Sequence, residues 1–150
     1  MHPMALRQRG YAHRTDIVAD VQSVWRAITE TTSLARWCSP DAWIRAKPDG
    51  LFRATVDRVT QLEAHIDIFE PARRLRLIYL PCDVLPAGET TVSDDFMITS
   101  VSRGTIVRLI GSGFEDSEAG DVQYRRMRAG WKSALARLKV FAEQLAKEVP

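Results

Sequence analysis

The sequence predicts an α+β domain: a curved antiparallel sheet of six to seven strands, two short helices after the first strand, and a long C-terminal helix across the sheet. Three observations predict it. From residue 42 to 111, apolar and polar residues alternate with period two, the mark of half-buried strands. From 124 to 145, Tyr124, Met127, Trp131, Leu135, Leu138, Ala142 and Leu145 recur in steps of three or four, a helical line about 30 Å long. Between the first strand and the alternating region, "DVQSVWRAIT" puts Val21, Val24, Trp25 and Ile28 on one helical face.

Residues 1–10 read as a flexible basic leader before a single domain over 11–150. A first strand is expected over about 11–19. Asp20 is a suitable N-cap for the helix that follows, because its carboxylate can accept from first-turn amides. A second short helix fits "SLARW", with Thr32 or Ser33 as cap, and should end at Cys38-Ser39-Pro40. "WIRA" is a short strand and "KPDG" a turn, in which Gly50 can take the positive φ. The next strands place Phe52, Ala54 and Val56, then Leu62, Ala64, Ile66 and Ile68, then Leu75, Leu77 and Tyr79 on the inner face. "PCDVLPAGE" is a loop. "TVSDDFMITS" and "GTIVRLIG" form the last hairpin around Ser102-Arg103-Gly104, and "GSGF" at 111–114 reads as a bend ending the strand. The final helix should span about 120–147.

The totals narrow the function. The chain has 150 residues, room for one core, with 21 basic and 19 acidic residues and a net charge of +2. That balance does not suggest nucleic acid or an anionic membrane as partner. The clusters Arg73, Arg74, Arg76 and Arg125, Arg126, Arg128 read as solvated faces. No h-region precedes the domain, and no apolar run reaches the ~18–20 residues needed to span a bilayer. A cytoplasmic location is expected, without membrane insertion. Cys38 and Cys82, 44 positions apart, form no metal or disulfide pattern and should be free thiols.

Four segments carry a family resemblance: "VWRAITETTSLARWCSP" (24–40), "FEPARRLRLIY" (69–79), "TVSDDFMITSVSRGTIVRLIGSGF" (91–114) and "GWKSALARLKVFAEQL" (130–145). In this order they resemble the START-like, birch-pollen-allergen-like (SRPBCC) superfamily. Within it they are most similar to the family named after the activator of the heat-shock-protein-90 ATPase, in its bacterial single-domain form. The resemblance implies a helix-grip fold, with the sheet curled around the C-terminal helix and a largely apolar pocket between them. The eukaryotic namesake engages its chaperone through an additional N-terminal domain, for which 150 residues are expected to leave no room. The family name therefore does not carry an activity over to this chain. One departure is the hairpin between "FRATVDRV" and "LEAHIDIF", which has no glycine where relatives often carry one.

Several residues are candidates for chemistry. His2, His13 and His65 show no metal spacing, and no HExxH occurs. His65 should point outward, unless a bulge inverts the parity of its strand. Asp94 shares parity with Phe96 and Ile98. It either faces inward, needing partners or a raised pKa, or lies in solvent if the strand begins later. Tyr79 and Tyr124 could offer hydroxyls at a pocket mouth or be half-buried ends of their elements. Trp37 and Trp43 flank "CSPDA" and would plug one end of the core or mark an entrance. Gly130 in mid-helix costs about 1 kcal/mol relative to alanine. It is expected to admit close approach by a strand end or a short helix, while Trp131 and Met127 form core or pocket wall.

No nucleophile–base pair, phosphate loop or dinucleotide motif is present. The expected function is binding of a small apolar or amphipathic molecule without catalysis, metal or cofactor, by a monomer or homodimer. The expected lining is Trp37, Trp43, Phe52, Ala64, Ile66, Leu77, Tyr79, Asp94, Phe96, Leu109, Met127 and Trp131. Two alternatives stand beside it. One is a co-chaperone-like or stress-response interaction module. The other is a cyclase- or aromatase-type enzyme, which would need at least two of Asp94, His65 and Tyr79 at one cavity.

Overall fold

The structure, a computed structural model, describes residues 8–56, 58, 60–81 and 91–148. The elements run β1 (Gln8–Ile17), α1 (Val21–Thr29), α2 (Thr31–Trp37), β2 (Trp43–Ile44), β3 (Leu51–Val56), β4 (Thr60–Glu70), β5 (Arg74–Tyr79), β6 (Ser93–Val101), β7 (Gly104–Glu115) and α3 (Glu118–Glu148). The sheet order is β1-β7-β6-β5-β4-β3-β2, antiparallel throughout. β1 thus joins the last strand, and the inserted helices carry the chain to the opposite edge. One inner face is covered by α3, the helix-grip arrangement. Among the described residues, no helix is long and apolar enough to cross a membrane.

β1 begins at Gln8 and ends at Ile17, both earlier than expected. Arg9 fastens its start to α3, donating from Nη1 to Asp121 Oδ1 at 2.6 Å. Asp20 caps α1 as expected: Oδ2 accepts from the Ser23 amide at 3.3 Å. The cap of α2 is different. Extended Glu30 (φ −102°, ψ 127°) ends α1 and starts α2 with no side-chain cap, so neither Thr32 nor Ser33 fills that position. The Trp37 indole instead holds the helix pair together, donating to Ala27 O at 2.7 Å.

Three other local readings are corrected. In "KPDG" the positive φ falls on Asp49 (60°), whose short polar side chain tolerates it; Gly50 is required because a Cβ there would lie 1.9 Å from Arg45 O. In β4 a register shift lies between Ile66, opposite Leu77, and Ile68, opposite Arg76. This bulge inverts the parity beyond it. Phe69 turns in against Trp25, ring centroids 5.5 Å apart, and Ile68 leaves the line of Leu62, Ala64 and Ile66. His65 precedes the bulge, opposite in parity to buried Ala64 and Ile66, so it stays on the outer face. Finally, "GSGF" does not end its strand: β7 continues to Glu115, with Phe114 fully buried. In the glycine-free β3–β4 hairpin, Arg58 takes φ 69°.

α3 buries Met127, Trp131, Ala134, Leu135, Leu138 and Ala142 against the sheet and the two short helices. Trp131 is wholly buried and meets Phe96 edge to face at 5.4 Å. Burial of such a side chain contributes roughly 1.5–3 kcal/mol, more than the glycine beside it costs. Close backbone approach of the expected kind occurs on this helix at Gly120, where a Cβ would lie 2.1 Å from Glu115 O. Gly130 instead borders a groove. Cys82 and most of the "PCDVLPAGE" loop lie outside the described residues.

Candidate functional site

Asp94 is completely buried, so the inward alternative holds: β6 begins at Ser93 and carries Asp94 on its inner face. Three strands build its surroundings. Gly111 of β7 stands opposite Tyr11 of β1 on one side and opposite Asp94 of β6 on the other. Having no side chain, Gly111 lets the Tyr11 ring lie across it. A Cβ at that position would sit 2.2 Å from Tyr11 Cζ. The Tyr11 hydroxyl thereby reaches across β7 and donates to Asp94 Oδ1 at 2.6 Å. From β5, the Tyr79 hydroxyl donates to Oδ2, also at 2.6 Å. Tyr79 lies two positions beyond Leu77, the ladder partner of Asp94, and is its diagonal neighbour.

The indole of Trp131 completes this centre from α3. Its N–H faces the carboxylate and Tyr79 closely enough to favour their ionised forms. Its geometry falls short of a hydrogen bond to either, and Nε1 is buried without a partner among the described residues. Burial dominates the electrostatics. It raises the Asp94 carboxyl from 3.8 to about 7, against the opposing pull of the two tyrosines and the indole. Burial, then the Asp94 charge, pushes both tyrosine hydroxyls well above 10, so they remain neutral donors. The centre can hold or release a proton near neutral pH, within a packed interior.

A groove of about 970 Å³ lies on the other flank of α3. One wall is α3 from Arg125 to Arg137, where Ala129, Gly130, Ser133 and Ala134 present small side chains or none. The other wall is the α2–β2 segment from Ala35 to Asp41, with Thr55 and Arg58 beyond it. Ala35, Pro40 and Ala129 supply accessible apolar surface, over a floor of buried Trp37, Cys38 and Ala134. Arg137 ties the walls together, donating from Nε to Trp37 O at 2.7 Å and from Nη2 to Cys38 O at 3.3 Å. The Asp41 carboxylate accepts from Thr55 Oγ1 at 2.7 Å and Gln61 Nε2 at 3.2 Å. Burial pushes the Cys38 thiol up to about 12, so it stays protonated and unreactive.

The residues expected around a ligand divide accordingly. Trp37 borders the groove. Phe52, Ala64, Ile66, Leu77, Phe96, Leu109, Met127 and Trp131 are 0–2% exposed and pack as core. The expected opening between sheet and helix is filled at these positions because Trp131 lies against Phe52 and Phe96. Tyr79 and Asp94 meet in the buried centre. Trp43 is half-buried, with the Arg45 guanidinium 5.4 Å from its ring centroid. Tyr124 packs partly buried on Phe114 and Tyr11. Two of the three acid–base candidates, Asp94 and Tyr79, are thus together, but they are buried and do not line the groove, and His65 is on the outer face. Among the described residues, no group of three or more His, Cys, Asp or Glu could hold a metal ion. Tyr11 is the partner the sequence reading missed; a glycine inside an otherwise alternating strand, Gly111, was its signal.

Solved structures share this fold. The chain is similar to protein MLL2253 from Mesorhizobium loti (TM-score 0.74, 19% identity, covering 95% of this chain and 99% of that one). It is similar to the Aha1 dimer from Colwellia psychrerythraea (TM-score 0.70, 17% identity, covering 90% and 96%). CalU16 from Micromonospora echinospora is a third (TM-score 0.66, 21% identity, covering 95% and 83%). No curated protein matches the sequence. The family described as Activator of Hsp90 ATPase homolog 1-like protein matches residues 19–143, the stretch from the start of α1 almost to the end of α3. The chain belongs to that family.

Proposed function

We propose that this protein binds a small apolar or amphipathic molecule, held in the groove between α3 and residues 35–41. The groove itself carries the reading. Its volume of about 970 Å³ suits a small organic ligand, and it runs along the part of α3 where Ala129, Gly130, Ser133 and Ala134 interrupt the larger side chains. On this reading Gly130 keeps the groove open, and buried Trp37 underlies its floor. The packed residues behind it, Trp131 and Met127 foremost, fix the helix from the other side.

Native mass spectrometry of gently purified protein, compared with the denatured mass, tests the reading. An additional non-covalent mass of a few hundred daltons is expected. A Gly130→Leu protein, with a side chain directed into the groove, should lose that mass while remaining folded. Undiminished retention of the ligand by a folded Gly130→Leu protein would place it elsewhere.

A further inference from the structure

We infer that the groove selects an amphipathic anion, a molecule with an apolar body and a carboxylate or phosphate head. The inference rests on the groove being the ligand site and adds the class of ligand. Five arginines line the groove, Arg36, Arg58, Arg125, Arg126 and Arg137, against one carboxylate, Asp41. The net charge of the whole chain is only +2, so positive charge is concentrated at this feature. The other arginine cluster lies away from the groove. Arg74 pairs with Asp95 at 2.5 Å, and Arg76 lies 3.8 Å from Asp67, each beside its own carboxylate on the outer face of the sheet.

Within the groove the single carboxylate is already engaged by Thr55 and Gln61. Arg125 shares Asp121 with Arg9 and is 78% exposed. Arg58 stands on the opposite wall, on the β3–β4 turn, in solvent. Guanidinium groups on both walls match the two oxygens of a carboxylate or phosphate through paired N–H donors. The accessible apolar surface of Ala35, Pro40 and Ala129 would take the body of the same molecule. A neutral apolar ligand would leave this charge unused, and a cation would be repelled by it.

The test is a calorimetric titration of the full chain with four probes of equal chain length: decanoate, decyl phosphate, decanol and decyltrimethylammonium. The anions are expected to bind at least ~10-fold tighter than decanol, since charge-assisted hydrogen bonds add to the shared apolar contact. Added salt should weaken the anions and leave decanol unchanged. The Arg58→Gln/Arg125→Gln protein should bring anion and alcohol close to parity. The tighter of the two anions identifies the head group. Equal binding of decanoate, decyl phosphate and decanol by the parent protein, or tightest binding of the ammonium, overturns the charge selection and leaves the groove as an apolar site. Failure of all four to bind overturns the groove reading, and this inference with it.

Discussion

Gly111→Ala is expected to destabilise the protein by about 3–5 kcal/mol, because one methyl group dismantles a contact spanning three strands. The added Cβ would lie 2.2, 2.5 and 2.6 Å from three atoms of the Tyr11 ring, so the ring must move. Overpacking of a close-fitted interior costs roughly 1–3 kcal/mol. Moving the ring also takes the Tyr11 hydroxyl from Asp94, and leaving a buried polar group unsatisfied costs about 1–3 kcal/mol. For a domain of this size the melting temperature should fall by roughly 6–20 °C. Tyr11→Phe separates the two effects: the ring still lies over Gly111, and only the hydrogen bond is lost. In a Tyr11→Leu background, Gly111→Ala should cost much less, giving a non-additive double-mutant cycle. A Gly111→Ala protein that melts with the parent would show that the ring does not rest on that glycine.

The second large effect is on pH dependence. The Asp94 carboxyl is raised from 3.8 to about 7 in the folded protein, so between those values the native state holds a proton that the unfolded state has lost. Stability therefore falls as pH rises through this window and levels off above about 7. The full change is on the order of 4 kcal/mol. Below about 4 both states are protonated, so the stability this group confers is fully present and no longer varies with pH. His13 acts with the opposite sign. Burial pulls its pKa below 6.5, so the stability it contributes is lost on acidification. Comparison with Asp94→Asn isolates the carboxyl, since the amide has a similar shape and can still bond both tyrosine hydroxyls. Urea unfolding across pH 4–8 should show the decline in the parent and not in the variant. Parallel curves would mean that Asp94 does not titrate in the folded state.

Much of the fold was legible in local pattern. Strand alternation identified the inner faces of β3, β5 and β6, and the spacing from Tyr124 to Ala142 identified the buried stripe of α3. The parity of Asp94 with Phe96 and Ile98 allowed an inward position, but the sequence favoured a strand beginning after it, with Asp94 in solvent; β6 in fact begins at Ser93. The bulge at Asp67 was not legible, because "HIDIF" alternates as well in a regular strand as in a shifted one; only the pairing of Phe69 with Leu75 decides it. Tyr11 and Asp94 are 83 positions apart, beyond any local pattern. The groove was hidden for a different reason. Large apolar residues read as pocket lining are the same residues that fill a core, and here Phe52, Phe96 and Trp131 close on one another. A void is bordered by what is small, and Gly130 was its only visible sign. Arg125 and Arg126 read as a solvated face because nothing in the sequence shows that Arg58 stands on the other wall.

The location of the ligand is the central claim, and an amide-resolved NMR titration with decanoate tests it most directly. Shifts concentrated at Ala35–Asp41, Thr55 and Ala129–Arg137 are predicted, with Leu77, Phe96 and Leu109 unmoved. Shifts concentrated at those three strand residues, with the α3 flank unmoved, would put the ligand between sheet and helix and contradict the account.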